Sequence, residues 1–230
     1  MPEAAPAAVP RYPPAMLFYL HGFASGPSSK KAQLLRVRFA AIGVPMQIPD
    51  LTPGRDGFER SSPSSMRAAA EAALAAAGPG PHGIVGSSLG GYLAAVLSSA
   101  QPSITRMVLL APAVRLFERW SARLGPAEIE AWRRDGLLVD HFASGTQRRL
   151  GAQFLEDARG WPAFPPVTTP TLCIAGTRDE TVPFEDVEAF VARTPSARLV
   201  PVDDVHELTA SIDRIFDEAR AFLAPVTAMR

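Results

Sequence analysis

The clearest chemistry in this chain lies in Gly86-Ser87-Ser88-Leu89-Gly90, a serine two residues from a glycine on either side. The run fits G-x-S-x-G, whose middle serine is a nucleophile when the motif joins a strand to a helix. A turn that sharp leaves no room for side chains two residues before and after the serine. Gly86 and Gly90 meet that demand, and Gly91 extends it. Only Ser88 is in register, because Ser87 would need glycine at 85, where Val85 stands. The turn also sets Ser88 at a helix N-terminus, where free N–H groups and the helix dipole favour developing negative charge. The plainer account is a glycine-rich turn with two capping serines. The apolar run before the motif and the small-residue helix after it favour the nucleophile.

An acyl-transfer serine needs a base. The chain has four histidines. His21 directly follows the first apolar run. His82 precedes the strand that leads into the serine turn, at the wrong end of a parallel sheet. His141 falls inside a long stretch without predicted strands. His206 follows the last strand, and elimination selects it. Four carboxylates could orient it: Asp179, Glu180, Asp203 and Asp204.

These side chains need elements to bring them together. Apolar runs at 16–20, 44–48, 83–86, 107–110, 171–175 and 198–202 read as strands. Helices are expected at 28–42, with Ala32, Leu35, Phe39 and Ile42 on one face, and at 63–77, 89–100, 183–193 and 211–223. Strands alternating with helices argue for an α/β fold, a mostly parallel sheet covered on both faces. Right-handed crossovers then put the chemistry at the carboxyl ends of the strands. The alternation breaks at 114–170, where only helical patterns are read, around 117–124, 126–135 and 147–158. A small helical lid is expected there. Its Phe117, Trp120, Trp132, Phe142, Phe154 and Trp161 are expected mostly to pack the lid, with one or two lining an acyl pocket.

Composition excludes several classes of function. Lys+Arg and Asp+Glu are 23 each, so no net field favours nucleic acid or an anionic membrane. Lys30 and Lys31 are the only lysines, too small a patch for nucleic acid. Cys173 is the only cysteine, placed mid-strand as a core residue, so there is no disulfide framework. No apolar stretch reaches the ~20 residues needed to span a bilayer. No His/Asp/Glu cluster has metal-ligand spacing and no nucleotide fingerprint occurs, so no metal or cofactor is expected. Residues 1–15 lack the basic start and apolar run of a signal peptide and read as a disordered arm, which makes a cytoplasmic protein the expectation. Oligomeric state is left open.

His21-Gly22-Phe23 follows the first strand directly. With the serine turn, it makes the chain resemble the α/β-hydrolase superfamily from residue 16 onward. YLHGFASGPSSKKAQLL at 19–35 looks like the small bacterial YqiA-like esterases. The helical insert and GSSLGGYLA at 86–94 are similar to lid-bearing acyl-ester and acyl-thioester hydrolases. The resemblance implies an oxyanion hole from the backbone N–H groups of Phe23 and Leu89, with His21, Gly22, Gly86 and Gly90 shaping the two turns. The superfamily's order Ser…Asp…His again selects His206. The superfamily's G-x-x-D-x-x-V-P loop falls on 176–183 and puts the acid at Asp179. The superfamily usually opens with two antiparallel strands, which are missing here. The resemblance therefore implies one trimmed domain over 16–230, of about six strands in the order 2-1-3-4-5-6.

The expected function is a serine hydrolase cleaving a carboxylic ester or thioester of a small-molecule acyl substrate through Ser88, His206 and Asp179. A peptidase or acyltransferase with the same three side chains, or a non-catalytic binding protein on the same fold, are the competing readings.

Overall fold

The computed structural model describes residues 15–228. Apart from Ala15, the expected N-terminal arm lies outside the described residues. In chain order the elements are β1 (Met16–Leu20), α1 (Lys30–Ala41), β2 (Met46–Gln47), α2 (Pro63–Ala77), β3 (His82–Ser87), α3 (Leu89–Ser98) and β4 (Ile104–Leu110). They continue with α4 (Leu116–Asp135), β5 (Leu137–His141), β6 (Thr146–Leu150), α5 (Gln153–Ala158), β7 (Thr171–Gly176), α6 (Phe184–Ala192), β8 (Ala197–Val202) and α7 (Ile212–Thr227). Six strands form one sheet in the order β2-β1-β3-β4-β7-β8, and every neighbouring pair is parallel. This is the expected order.

Alternation along β1 explains how the sheet divides the core. Phe18 and Leu20 enter an apolar cluster with α2, α3 and α6, while Leu17 and Tyr19 enter another with α1 and α7. Helix α1 starts where the Ser29 side chain accepts the Ala32 N–H, and it buries Ala32, Leu35 and Phe39. Helix α2 opens on a reciprocal Ser62/Ser65 cap with Pro63 in its first turn, and Gly78 ends it. Strand β2 is shorter than expected, two residues rather than 44–48. It lies at the sheet edge between Pro45 and Pro49, and proline cannot donate to the ladder. None of the described helices is long and apolar enough to cross a membrane.

The segment between β4 and β7 departs from the expectation of helices alone. It holds α4, kinked where Gly125 has φ 70° before Pro126, and α5, but also an antiparallel hairpin of β5 and β6. The helix expected at 147–158 begins only at Gln153. Period-two alternation is present in Leu137–His141, whose odd-numbered residues turn inward, but Thr146–Leu150 is too polar to announce a strand. Tertiary contacts supply what local propensity lacks. Trp132 Nε1 donates to the Leu150 carbonyl at 2.8 Å, and the Arg148 guanidinium pairs with Glu59. The segment is also tied to the body by Asp157, which accepts the Ser64 N–H and hydroxyl, and by Asp186, which takes both Arg115 and Arg119.

Candidate active site

The turn between β3 and α3 is as tight as its glycines require. Ser88 sits at φ 52°, ψ −118°, a left-handed conformation that costs a non-glycine residue free energy. The strain is held from both sides. The Ser88 N–H donates to the Leu110 carbonyl at 2.8 Å, and the Ser88 carbonyl accepts from Tyr92 and Ala113 at 3.0 Å each. A Cβ on Gly86 would lie 2.6 Å from the Gly90 carbonyl oxygen, and one on Gly90 2.1 Å from the Leu20 oxygen. Those positions admit only glycine without backbone movement. The result lifts the Ser88 side chain above the carboxyl edge of the sheet.

His206 reaches that edge from the loop between β8 and α7. Its Nε2 lies 3.0 Å from Ser88 Oγ, and its Nδ1 lies 2.7 Å from Asp179 Oδ2. Asp179 follows β7, the strand beside β8, and its side chain is 1% exposed. Its other oxygen, Oδ1, accepts the N–H groups of Thr181 and Val182 at 2.8 Å each. Three donors thus converge on one buried carboxylate. With Nδ1–H donated to Asp179, Nε2 is left to accept the Ser88 hydroxyl proton.

Of the three other carboxylates, two are engaged elsewhere and one is exposed. Glu180 is exposed. Asp203 pairs with Arg178 on the surface. Asp204 is buried and shapes the loop that carries His206: Oδ1 accepts the Val205 N–H and Oδ2 the Ser211 N–H, both at 2.8 Å. Burial works against its charge, but these donors, with the Ala210 N–H and the Ser211 hydroxyl, hold its carboxyl below the usual range. The loop presses against β7, where a Cβ on Gly176 would lie 2.4 Å from the Asp204 oxygen.

His21 is 1% exposed, and its ring ties two loops together. Nε2 accepts the Leu51 N–H at 3.2 Å, so Nδ1 carries the proton and donates to the Gly22 carbonyl at 3.1 Å. Burial holds its pKa below the usual value, consistent with a neutral imidazole. Gly22 approaches the serine turn closely, since a Cβ there would stand 3.4 Å from both the Ser87 oxygen and Ser88 Cβ. Phe23 and Leu89 line the same cavity as Ser88 and His206. Leu89 opens α3, where a helix N–H has no acceptor in its own helix. Cys173 is fully buried in β7, and burial pushes its thiol up to about 12, which removes it from nucleophilic chemistry near neutral pH.

The cavity over Ser88 measures about 640 Å³. One wall is apolar, from Phe23, Leu116, Trp120, Leu124, Val139 and Phe154. Trp120, Phe142 and Phe154 are therefore the aromatic residues of 114–170 that reach it. Trp132 is fully buried and Trp161 packs on Tyr92. The hairpin also contributes Leu137, Leu138 and Val139, which sequence reading missed because the hairpin itself was missed. The polar lining includes Lys30, Lys31 and Glu207; the two lysines are too small a patch for nucleic acid, and sequence reading gave them no other role. Their clustering as the only two lysines was the available signal.

A protein-family model described as an uncharacterised protein family, UPF0227, matches residues 16–224. Among solved structures, Est1E from Butyrivibrio proteoclasticus is similar with a TM-score of 0.74 at 19% identity, covering 95% of this chain and 90% of its own. Alpha/beta hydrolase domain-containing protein 10 from mouse has a TM-score of 0.76 at 20% identity, covering 93% of this chain and 90% of its own. At those identities the likeness is one of fold, and the fold is the α/β-hydrolase fold.

Proposed function

The chain belongs to the UPF0227 family, and on that footing we propose that it is a serine hydrolase that cleaves carboxylic esters or thioesters through an acyl-enzyme. The observation that carries the reading is the line from Asp179 Oδ2 through His206 to Ser88 Oγ, with contacts of 2.7 and 3.0 Å, ending on a serine held in a left-handed turn.

In this reading Ser88 Oγ attacks the acyl carbon while His206 Nε2 takes its proton. The imidazolium that forms is stabilised by Asp179, whose second oxygen is already held by two amides. Negative charge develops on the former carbonyl oxygen, which the N–H groups of Phe23 and Leu89 receive. The oxyanion collapses, the carbon–oxygen or carbon–sulfur bond to the leaving group breaks, and His206 returns the proton to that group. Water then adds to the acyl-enzyme by the same route, and Ser88 is regenerated. The apolar wall takes the acyl chain, and 114–170 acts as its lid.

The test is labelling by a fluorophosphonate together with a panel of a p-nitrophenyl butyrate, a butyryl thioester and an aminoacyl anilide. An adduct on Ser88 with turnover of the ester or thioester supports the reading. An unlabelled Ser88 with no turnover overturns it. Cleavage of the anilide alone makes the protein a peptidase.

A further inference from the structure

Of the 23 lysines and arginines of this chain all but Lys30 and Lys31 are arginine, and both lysines line the cavity over Ser88. They are the first two residues of α1, beside its cap residue Ser29, which lines the cavity too. Helix α1 packs on the sheet face opposite to the one that carries 114–170, since Ala32, Leu35 and Phe39 join the cluster of α7. The apolar lining hangs from the other face. Ser88 therefore lies between a mainly apolar arm, whose lining also holds Arg119, Arg123 and Asp140, and a polar one that carries both lysines and Glu207.

Lys31 is not spent on structure. It is partly buried, yet among the described residues it makes no hydrogen bond and no ion pair within 4.0 Å. Lys30 is exposed and likewise unpaired. The carboxylates that act on the Lys31 charge are Glu207, Asp179 and Asp204. Asp179 and Asp204 are occupied by His206 and by backbone N–H groups, and Glu207, which lines the same cavity, is exposed and not in ion-pair contact with Lys31. On the mainly apolar arm Arg119 is already held by Asp186, and Arg123 is exposed. A compact ammonium lining a cavity, with no hydrogen bond or ion pair of its own, is a receptor for an anionic oxygen; a guanidinium fork would fill more of the space.

Resting on the hydrolase reading above, we infer that Lys31, with Lys30 at the rim, binds an anionic group on the leaving group of the substrate. The acyl chain occupies the apolar arm, so the alcohol or thiol must leave through the polar one. The substrate class is then an acyl ester or thioester whose alcohol or thiol portion bears a carboxylate or phosphate. Lys31 is a specificity-determining residue in this arrangement, and the acyl-transfer steps are unchanged by it.

The test compares 3-butyryloxy-4-nitrobenzoate, whose leaving phenol carries a carboxylate, with the matching carboxamide. The wild-type protein is expected to favour the carboxylate at least tenfold in kcat/KM, mainly through KM. Lys31→Gln should reduce that preference about tenfold, Lys31→Arg should restore part of it, and added NaCl should weaken it in the wild type without any substitution. A p-nitrophenyl hemiglutarate, with its charge on the acyl side, should show no such dependence on Lys31. Equal use of carboxylate and carboxamide, or a preference untouched by both Lys31→Gln and salt, overturns the inference while leaving the hydrolase reading in place. A Lys31-dependent preference for the hemiglutarate overturns the assignment to the leaving group. Turnover of none of these esters, with Ser88 unlabelled, overturns both readings.

Discussion

Asp179 divides its two carboxylate oxygens between the backbone and His206. Oδ1 takes the N–H groups of Thr181 and Val182, and Oδ2 takes Nδ1 of His206 at 2.7 Å. The amides fix the rotamer, so the oxygen facing the imidazole has a set position before any substrate arrives. Asp179→Asn would keep the shape but offer either an amide donor to Nδ1 or a lost amide contact. We expect kcat to fall roughly 10²- to 10⁴-fold with the fold intact. Steady-state kinetics beside a circular dichroism melt checks this, and a near-normal kcat would remove Asp179 from the orienting role.

Asp204 is expected to act on the loop rather than on the imidazole. Its carboxyl titrates below its ordinary value in the folded protein, so its contribution to stability is present above pH ~4 and is lost as pH falls through the lower folded value. Asp204→Asn should lower Tm near neutral pH and flatten the acid side of the Tm–pH curve. Asp203→Asn, at an exposed ion pair, should change stability by less than about 1 kcal/mol. Melts of both variants from pH 3 to 7 separate the two carboxylates.

Ser88→Ala should remove ester turnover by roughly 10⁴-fold or more while Ser87→Ala keeps most of it. Only Ser88 contacts His206 Nε2. Intact-protein mass spectrometry of the fluorophosphonate adduct, with peptide mapping, decides between the two; an adduct on Ser87 would contradict the turn geometry.

Chain-length preference should follow the apolar wall. Trp120 meets Phe23 edge to face at 5.1 Å between ring centres and also lines the cavity. Trp120→Ala should move the optimum toward longer acyl chains, read on p-nitrophenyl esters from acetate to laurate. An unchanged profile in a folded variant would place acyl recognition elsewhere.

Lys31 should cost the fold stability. Burial pushes its ammonium down to about 8, although Glu207, Asp179 and Asp204 act in the other direction. A lysine whose folded pKa is depressed destabilises the protein below that value, and the penalty fades as pH rises toward its unfolded pKa near 10.4. Lys31→Met should therefore raise stability at pH 7 by roughly 1–3 kcal/mol, with the gain shrinking above pH ~8. Chemical denaturation at pH 7 and pH 10 measures it. A variant no more stable at pH 7 would mean the ammonium is fully hydrated.

The strand order came through a resemblance, but the sequence by itself determined the parallel sheet and the place of Ser88. Those features rest on signals that are local and sterically strict: apolar runs of strand length, and glycines at 86 and 90 where a Cβ would meet backbone at 2.6 and 2.1 Å. It also singled out His206 by elimination and, through a resemblance, Asp179. Only tertiary structure decided how Asp204 differs from Asp179, because two carboxylates in charged loops, each taking two backbone N–H groups, look alike until the fold brings an imidazole to one of them. The hairpin of β5 and β6 was likewise settled by distant partners, with Trp132 and Glu59 closing on a polar strand that has no pattern of its own. The two lysines stood in plain view, but their meaning depended on a cavity assembled from both faces of the sheet. Residues far apart in sequence create that space, so no local pattern could announce it.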